Sequence, residues 1–165
     1  MKKILFLFFC LPLFIFSKNL NNVKLAKKVG NDHPNAFVQV HDINGDDPEY
    51  LYTTGRIRGF TNFGGTSMNN FYFSDNTNNM DLFLARYNQN NIDFDTAGVF
   101  KSQHHMRWSS VTVDTATREV IVGGDFNEQM IYKTDTFNGY FCGGNSGQNT
   151  FIFRIDTNFT IVDTV

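Results

Sequence analysis

The sequence predicts an all-β chain, and three observations predict it. Phe, Tyr, Thr, Val and Ile recur in short runs, with 19 Phe and 6 Tyr among 165 residues, and these side chains suit pleated, half-buried strands. Asn and Gly gather between the runs, where turns need them. Helix-forming stretches are scarce after residue 30.

The N-terminus reads differently from the rest. Lys2 and Lys3 precede an apolar run from Ile4 to Phe16, with Pro12 near its middle and the small Ser17 at its end. These are the parts of a cleavable secretory signal peptide over residues 1–17. The run is shorter than the roughly 20 residues that span a bilayer, and no later segment is apolar enough to do so. The expectation is export, to the cell surface or beyond it. Phe8 and Phe9 stand before Cys10 where lipoprotein processing needs small residues. Once the leader is cut, Cys142 is the remaining thiol, so no internal disulfide forms and the core must hold the fold; Cys142 itself reads as a small buried apolar side chain. Loss of Lys2 and Lys3 leaves 12 basic against 16 acidic residues, and no basic stripe exists, which excludes nucleic acid as a natural partner.

Residues 18–35 are polar and lysine-bearing without a period, a flexible lead-in that Pro34 closes. Strands then follow at short intervals: Ala36–His41, Tyr50–Thr54 ending at Gly55, Phe71–Phe73, Asp81–Tyr87 and Ile92–Phe100. Asn44-Gly45 marks a tight turn with positive φ after the first. The second half offers Trp108–Val113, Glu119–Val122 ending at Gly123-Gly124, Ile131–Thr136, Tyr140–Cys142, Thr150–Ile155 and Phe159–Val162, with a second Asn-Gly turn at 138–139.

Three landmarks recur in order. Val40-His41-Asp42 matches Thr112-Val113-Asp114. Leu51-Tyr52-Thr53-Thr54-Gly55-Arg56 matches Val120-Ile121-Val122-Gly123-Gly124-Asp125. Asp81 to Asn88 (DLFLARYN) matches Asn149 to Asp156 (NTFIFRID). The offsets are 72, 69 and 68 residues. A first repeat over 36–107 and a second over 108–165 follow, the second ending before its last strand. In the third landmark Phe83, Ala85 and Tyr87 share one face, and Leu82, Leu84 and Arg86 the other. Both faces carry apolar residues, so the strand must be covered on both sides. Stacked sheets do this; a single sheet does not.

These landmarks resemble the bacterial seven-bladed β-propeller (SBBP-type) repeat. There a strand of the form Val-Tyr-Val-Thr-Gly is followed by a loop with an Asp-Phe pair, and later by a strand of the form Asp-Ala-Phe-Val-Ala-Lys-Leu-Asn. Here Leu51-Tyr52-Thr53-Thr54-Gly55, Asn62-Phe63-Gly64 and Asp81 to Asn88 hold those places; the second copy departs, with Asn149 for Asp and Phe153 for Ala. The resemblance runs from about Ala36 to the end. It implies two four-stranded antiparallel propeller-like blades, and two blades cannot close a ring. Either the chain is the first part of a larger propeller, the reading preferred, or several chains complete the ring.

No residue is assigned a catalytic, metal or cofactor role. Gly144-Asn145-Ser146-Gly147 looks like a serine-protease nucleophile loop, but no recognisable His loop precedes it; it reads as a turn. His104 and His105 point to opposite faces of a strand, and His33 and His41 have no ligand spacing with them. Asp42, Asn44, Asp46, Asp47 and Glu49 form an oxygen-rich loop that does not follow the order of a calcium-binding EF-hand; it reads as a solvated hairpin. Asp93 and Asp95 share a face as any surface pair does. Phe60, Phe63, Phe71, Tyr72 and Phe73 either face a glycan or protein partner or tuck between blades, the second being preferred. The expected function is non-enzymatic binding or scaffolding toward an extracellular protein or glycan. The alternative is the N-terminal part of a secreted hydrolase or lyase whose catalytic residues lie elsewhere.

Overall fold

The computed structural model describes residues 37–61, 63, 71–73, 80–102, 104, 106–139 and 148–164. The leader, the lead-in, His33, Cys142 and the Gly144–Gly147 loop fall outside the described residues. The described chain is all-β. Its strands are β1 Phe37–Asn44, β2 Tyr50–Thr61, β3 Phe71–Phe73, β4 Asp81–Asn88, β5 Phe94–Ser102, β6 Ser109–Asp114, β7 Glu119–Asn127, β8 Gln129–Tyr132, β9 Asp135–Asn138, β10 Gln148–Ile155 and β11 Ile161–Thr164. They build two antiparallel sheets, neither closed: β1-β2-β4-β5-β8-β9 with β3 on β2, and β11-β10-β7-β6.

The strands depart from the sequence reading where glycine and turn chemistry mislead. β2 and β7 run straight through Gly55 and Gly123-Gly124. Gly55 and Gly124 sit inside the strands because aromatic rings lie on them. A Cβ on Gly55 would fall 2.0 Å from the Gln39 carbonyl oxygen and 2.9 Å from the Phe83 ring. After Asn44 the chain takes a longer connection to Tyr50, and among described glycines only Gly59 has positive φ. Ile131–Thr136 is two strands, with left-handed Lys133 (φ 53°) in the turn between β8 and β9. Near the end of the described chain the short β11 pairs on β10.

Strand pairing sets residues of two of the three landmarks at equal register positions. Gly55 opposes Phe83 and Gly124 opposes Phe151; Tyr52 opposes Arg86 and Ile121 opposes Arg154. The register slips at Arg86/Tyr87 and again at Arg154/Ile155. A left-handed residue opens the next pairing each time, Gly59 (φ 74°) that of β2 with β3 and Glu128 (φ 56°) that of β8 with β9. The first landmark is corrected: Asp42 opposes Thr54 and Ser110 opposes Gly123, so Asp42 corresponds to Ser110, not to Asp114. The bulge between Val40 and Asp42 shifts this register by one residue.

The two sheets stack in one direction. Leu82, Leu84, Tyr52 and Phe100 of the first sheet meet Val111, Val122, Phe151 and Phe153 of the second in one core. The matching residues of the first sheet, Phe83, Ala85 and Tyr87, face away, into a smaller cluster with Ile57, Val99 and Phe63. One face of the second sheet therefore covers the opposite face of the first. The ring of Phe100 lies 5.2 Å from Phe151 and 4.5 Å from Tyr132, offset packing that adds to area burial.

The glycine pair makes a direct test. A Cβ on Gly124 would lie 2.6 Å from Leu82 Cδ1 and 2.7 Å from the Phe151 ring, between the sheets, whereas on Gly123 its nearest contact is 3.5 Å. Gly124→Ala is expected to lower stability by about 2 kcal/mol through overpacking, and Gly123→Ala to change it by less than about 0.5 kcal/mol, both read by urea unfolding.

Candidate functional site

The polar groups able to do chemistry meet along the joint between the sheets. The β1 bulge brings His41 and Asp42 to the edge of β6. His41 Nδ1 accepts the Ser109 backbone N–H at 3.0 Å and lies 3.1 Å from Ser109 Oγ. Asp42 accepts the Val111 N–H at 3.0 Å, the Ser110 hydroxyl at 2.7 Å and its neighbour Ile43 N–H at 2.9 Å. Two N–H groups of the β6 edge, which no strand pairs on that side, thus find acceptors on β1. Thr54 donates to the Phe83 carbonyl at 2.6 Å, with Ser109 Oγ 3.0 Å away.

A Ser beside a His invites a nucleophilic reading. The geometry is against it. Ser109 is buried, 6% exposed, and the imidazole nitrogen it faces is already taken by a peptide N–H. Burial, together with the Arg56 charge and against that of Asp125, holds the His41 pKa below its ordinary value, which keeps the ring neutral and accepting. Asp125 does not orient the ring; it accepts the Arg107 and Trp108 N–H groups, each at 2.8 Å.

The second joint is the loop between β1 and β2. Asp47 has a fully buried side chain. Its Oδ1 accepts the Glu49 and Tyr50 N–H groups at 2.8 and 2.9 Å, and Arg118, from the β6–β7 turn, donates Nε to Oδ2 at 3.2 Å and Nη2 to Glu49 at 2.9 Å. Burial alone would raise the Asp47 pKa, but Arg118 and the two peptide donors outweigh it and hold it low. The oxygen-rich loop is therefore a socket for a guanidinium of the second sheet. Asn44 and Asp46 bond each other, and among the described residues no three His, Cys, Asp or Glu side chains converge to hold a metal ion.

Arg86 forms the third joint. Its Nε donates to Asp95 at 2.6 Å and its Nη1 to the Thr157 carbonyl at 2.7 Å, in the β10–β11 turn. Its guanidinium lies over Tyr50 at 4.4 Å and Phe159 at 5.3 Å, an arrangement that a cation favours.

The other candidates scatter. His104 faces Glu128 at 3.4 Å; His105 lies outside the described residues. Asp95 is spent on Arg86, and the Asp93 N–H is held by Asn91 at 3.1 Å. Phe63 is buried against Phe83 and Phe94, with centroids 5.0 and 5.7 Å away, so it tucks inward; the side chains of Phe60, Phe71, Tyr72 and Phe73 lie outside the described residues. Sequence reasoning overlooked Trp108, at 45% the one strongly exposed aromatic side chain among the described residues. No described helix is long and apolar enough to cross a membrane.

No protein-family model matches the chain, and comparison with curated proteins and with solved structures finds no match.

Two buried carboxyls have opposite pH signatures. Asp81 is 2% exposed and has the Ser102 N–H at 3.1 Å; burial raises its pKa to about 6, against that bond and Lys101. The folded state thus binds this proton more tightly than the unfolded chain does. Its contribution is full below pH 4 and is lost as pH rises through about 6. The second repeat has Asn149 at this register position. Asp81→Asn is expected to raise stability at pH 7.5 by about 2 kcal/mol and to leave it unchanged near pH 4, in urea melts at both values. Asp47, with its lowered pKa, acts oppositely and stabilises above the ordinary carboxylate range. Asp47→Ala should lower stability at pH 7.5 by about 2 kcal/mol, while Asp46→Ala on the same loop should change it by less than about 0.5 kcal/mol.

Proposed function

We propose that this is an exported, non-enzymatic β-repeat protein with propeller-type blades of the SBBP kind, acting in binding or scaffolding at the cell surface or outside the cell. One observation carries the reading. The groups with chemical potential (His41, Ser109, Asp42, Asp47, Arg118 and Arg86) are each spent on fastening one sheet to the next. Support for propeller-type blades comes from the shared register of the two repeats and their one-directional stacking. A partner would meet loops and the exposed Trp108 ring, a surface suited to a glycan or to an extracellular protein.

A hydrolase is the rival, and the 3.1 Å contact between His41 and Ser109 is what favours it. A fluorophosphonate probe decides between them: no labelling of Ser109 is expected, and labelling abolished by Ser109→Ala and by His41→Ala would establish the enzyme instead. Export has its own test. N-terminal sequencing of the protein recovered outside the cytoplasm should begin at Lys18; an intact Met1 terminus confined to the cytoplasm would refute it.

A further inference from the structure

Each repeat has two unlike sides, one that receives and one that inserts. On the first sheet the receiving side is Arg86 and the edge of β5 away from β4. On the second sheet the inserting side is the β10–β11 turn, which offers the Thr157 carbonyl and the left-handed Phe159 (φ 60°), together with the β8–β9 hairpin, which pairs along β5.

The second sheet has a receiving side of its own. Arg154 stands at the register of Arg86, next to the same bulge. Where Arg86 Nε has Asp95, Arg154 Nε is buried without a hydrogen-bond acceptor. A shallow depression lined by Thr117, Glu119, Arg154, Val162 and Asp163 lies there. Ile152 and Val162 stay 40% and 49% exposed, and β11 has no strand on its outer edge among the described residues.

The first sheet likewise has an unused inserting side. In its β4–β5 turn Gln89 holds the place of Thr157, and left-handed Ile92 (φ 57°) that of Phe159. Gln89, Asn90 and Asn91 are exposed. Left-handed Gly59 leads into the β2–β3 pairing as Glu128 leads into β8–β9.

We propose that a second copy of this chain docks on the outer face of the second sheet, its β4–β5 turn seated on Arg154, so that copies assemble head to tail. Charge agrees with this direction. Asp114, Glu119 and Asp163 rim Arg154, so two such faces would repel each other, whereas the exposed amides of Asn90 and Asn91 bring donors to the carboxylates, Gln89 being held to the Gly45 carbonyl. Phe63, itself stacked on Phe94, already covers the Phe83 ring, so the turn and hairpin make the contact and the junction is weaker than the one within the chain. Such a junction is heterologous, and its rotation decides between a ring and a filament. The inference rests on reading the two sheets as one repeated, stacked unit.

Sedimentation velocity on the purified protein tests it. The mean mass should rise between about 1 and about 300 µM, a weak-junction range. Arg154→Glu or Val162→Lys on the receiving side, and Ile92→Asp on the inserting side, should each hold the protein monomeric with an unchanged far-ultraviolet circular dichroism spectrum. Mixing a receiving-side variant with Ile92→Asp leaves one intact junction per pair, so a one-to-one dimer and nothing larger should form. A wild-type protein that is monomeric throughout overturns the proposal whatever the variants do, as does a mixture that stays monomeric. A wild-type monomer that unfolds in one cooperative step would remove self-docking and leave the stacked repeat standing; unfolding in two independent steps would remove the stacked repeat itself.

Discussion

The layer between the sheets, where Phe151 and Phe153 lie against Leu82, Leu84 and Phe100, is the contact on which the remaining structure depends. Neither sheet can bury both of its apolar faces alone, and each β4-type strand has apolar residues on both. The side chains that meet in this layer come from opposite faces of equivalent strands. Packing of that kind sets a direction, because what covers a face is never a copy of the face it covers. The fastening groups follow the same direction: Arg118 reaches from the second sheet into the Asp47 loop, and the second sheet's turn settles on Arg86.

Polar atoms along this joint do structural work with little redundancy. The bulge after Val40 sacrifices one ladder position in β1 and in return aims His41 and Asp42 at the open edge of β6. A buried edge without such acceptors would cost more than the bulge. The neutral state of His41 and the charged state of Asp47 are both consequences of where their donors sit. A serine beside a histidine can therefore be a fastener, and the discriminating facts are burial and the prior claim of a peptide N–H on the ring nitrogen.

Much of this was legible in the sequence, and what was not had a physical cause. Alternation in DLFLARYN and its copy located the two central strands and their covered faces, because side-chain period and burial coincide there. Gly55 and Gly124 read as strand ends, since a glycine is a stop signal unless an aromatic ring is known to rest on it. The β8–β9 hairpin read as one strand because Lys133, not glycine, takes the left-handed turn position. The 72-residue offset of the first landmark rested on a shared strand-then-Asp pattern, and pairing puts Asp42 at the register of Ser110 instead. The joints at Asp47–Arg118 and Arg86–Thr157 link residues about 70 apart in the chain, and no local pattern announces such partners. Trp108 escaped notice because its exposure is set by the turn into β6 and not by its neighbours in sequence.

The β8–β9 hairpin lies in the second repeat's stretch of chain but completes the first repeat's sheet. Its residues emerge from the ribosome some thirty positions after β5, so a nascent first sheet waits with a bare edge until Gln129–Asn138 has been made. Long-range closures of this sort slow folding and expose partly built sheets to aggregation. The interleaving also denies the first repeat an independent existence. Although the chain is written as two similar paragraphs, it should be synthesised, folded and degraded as one sentence.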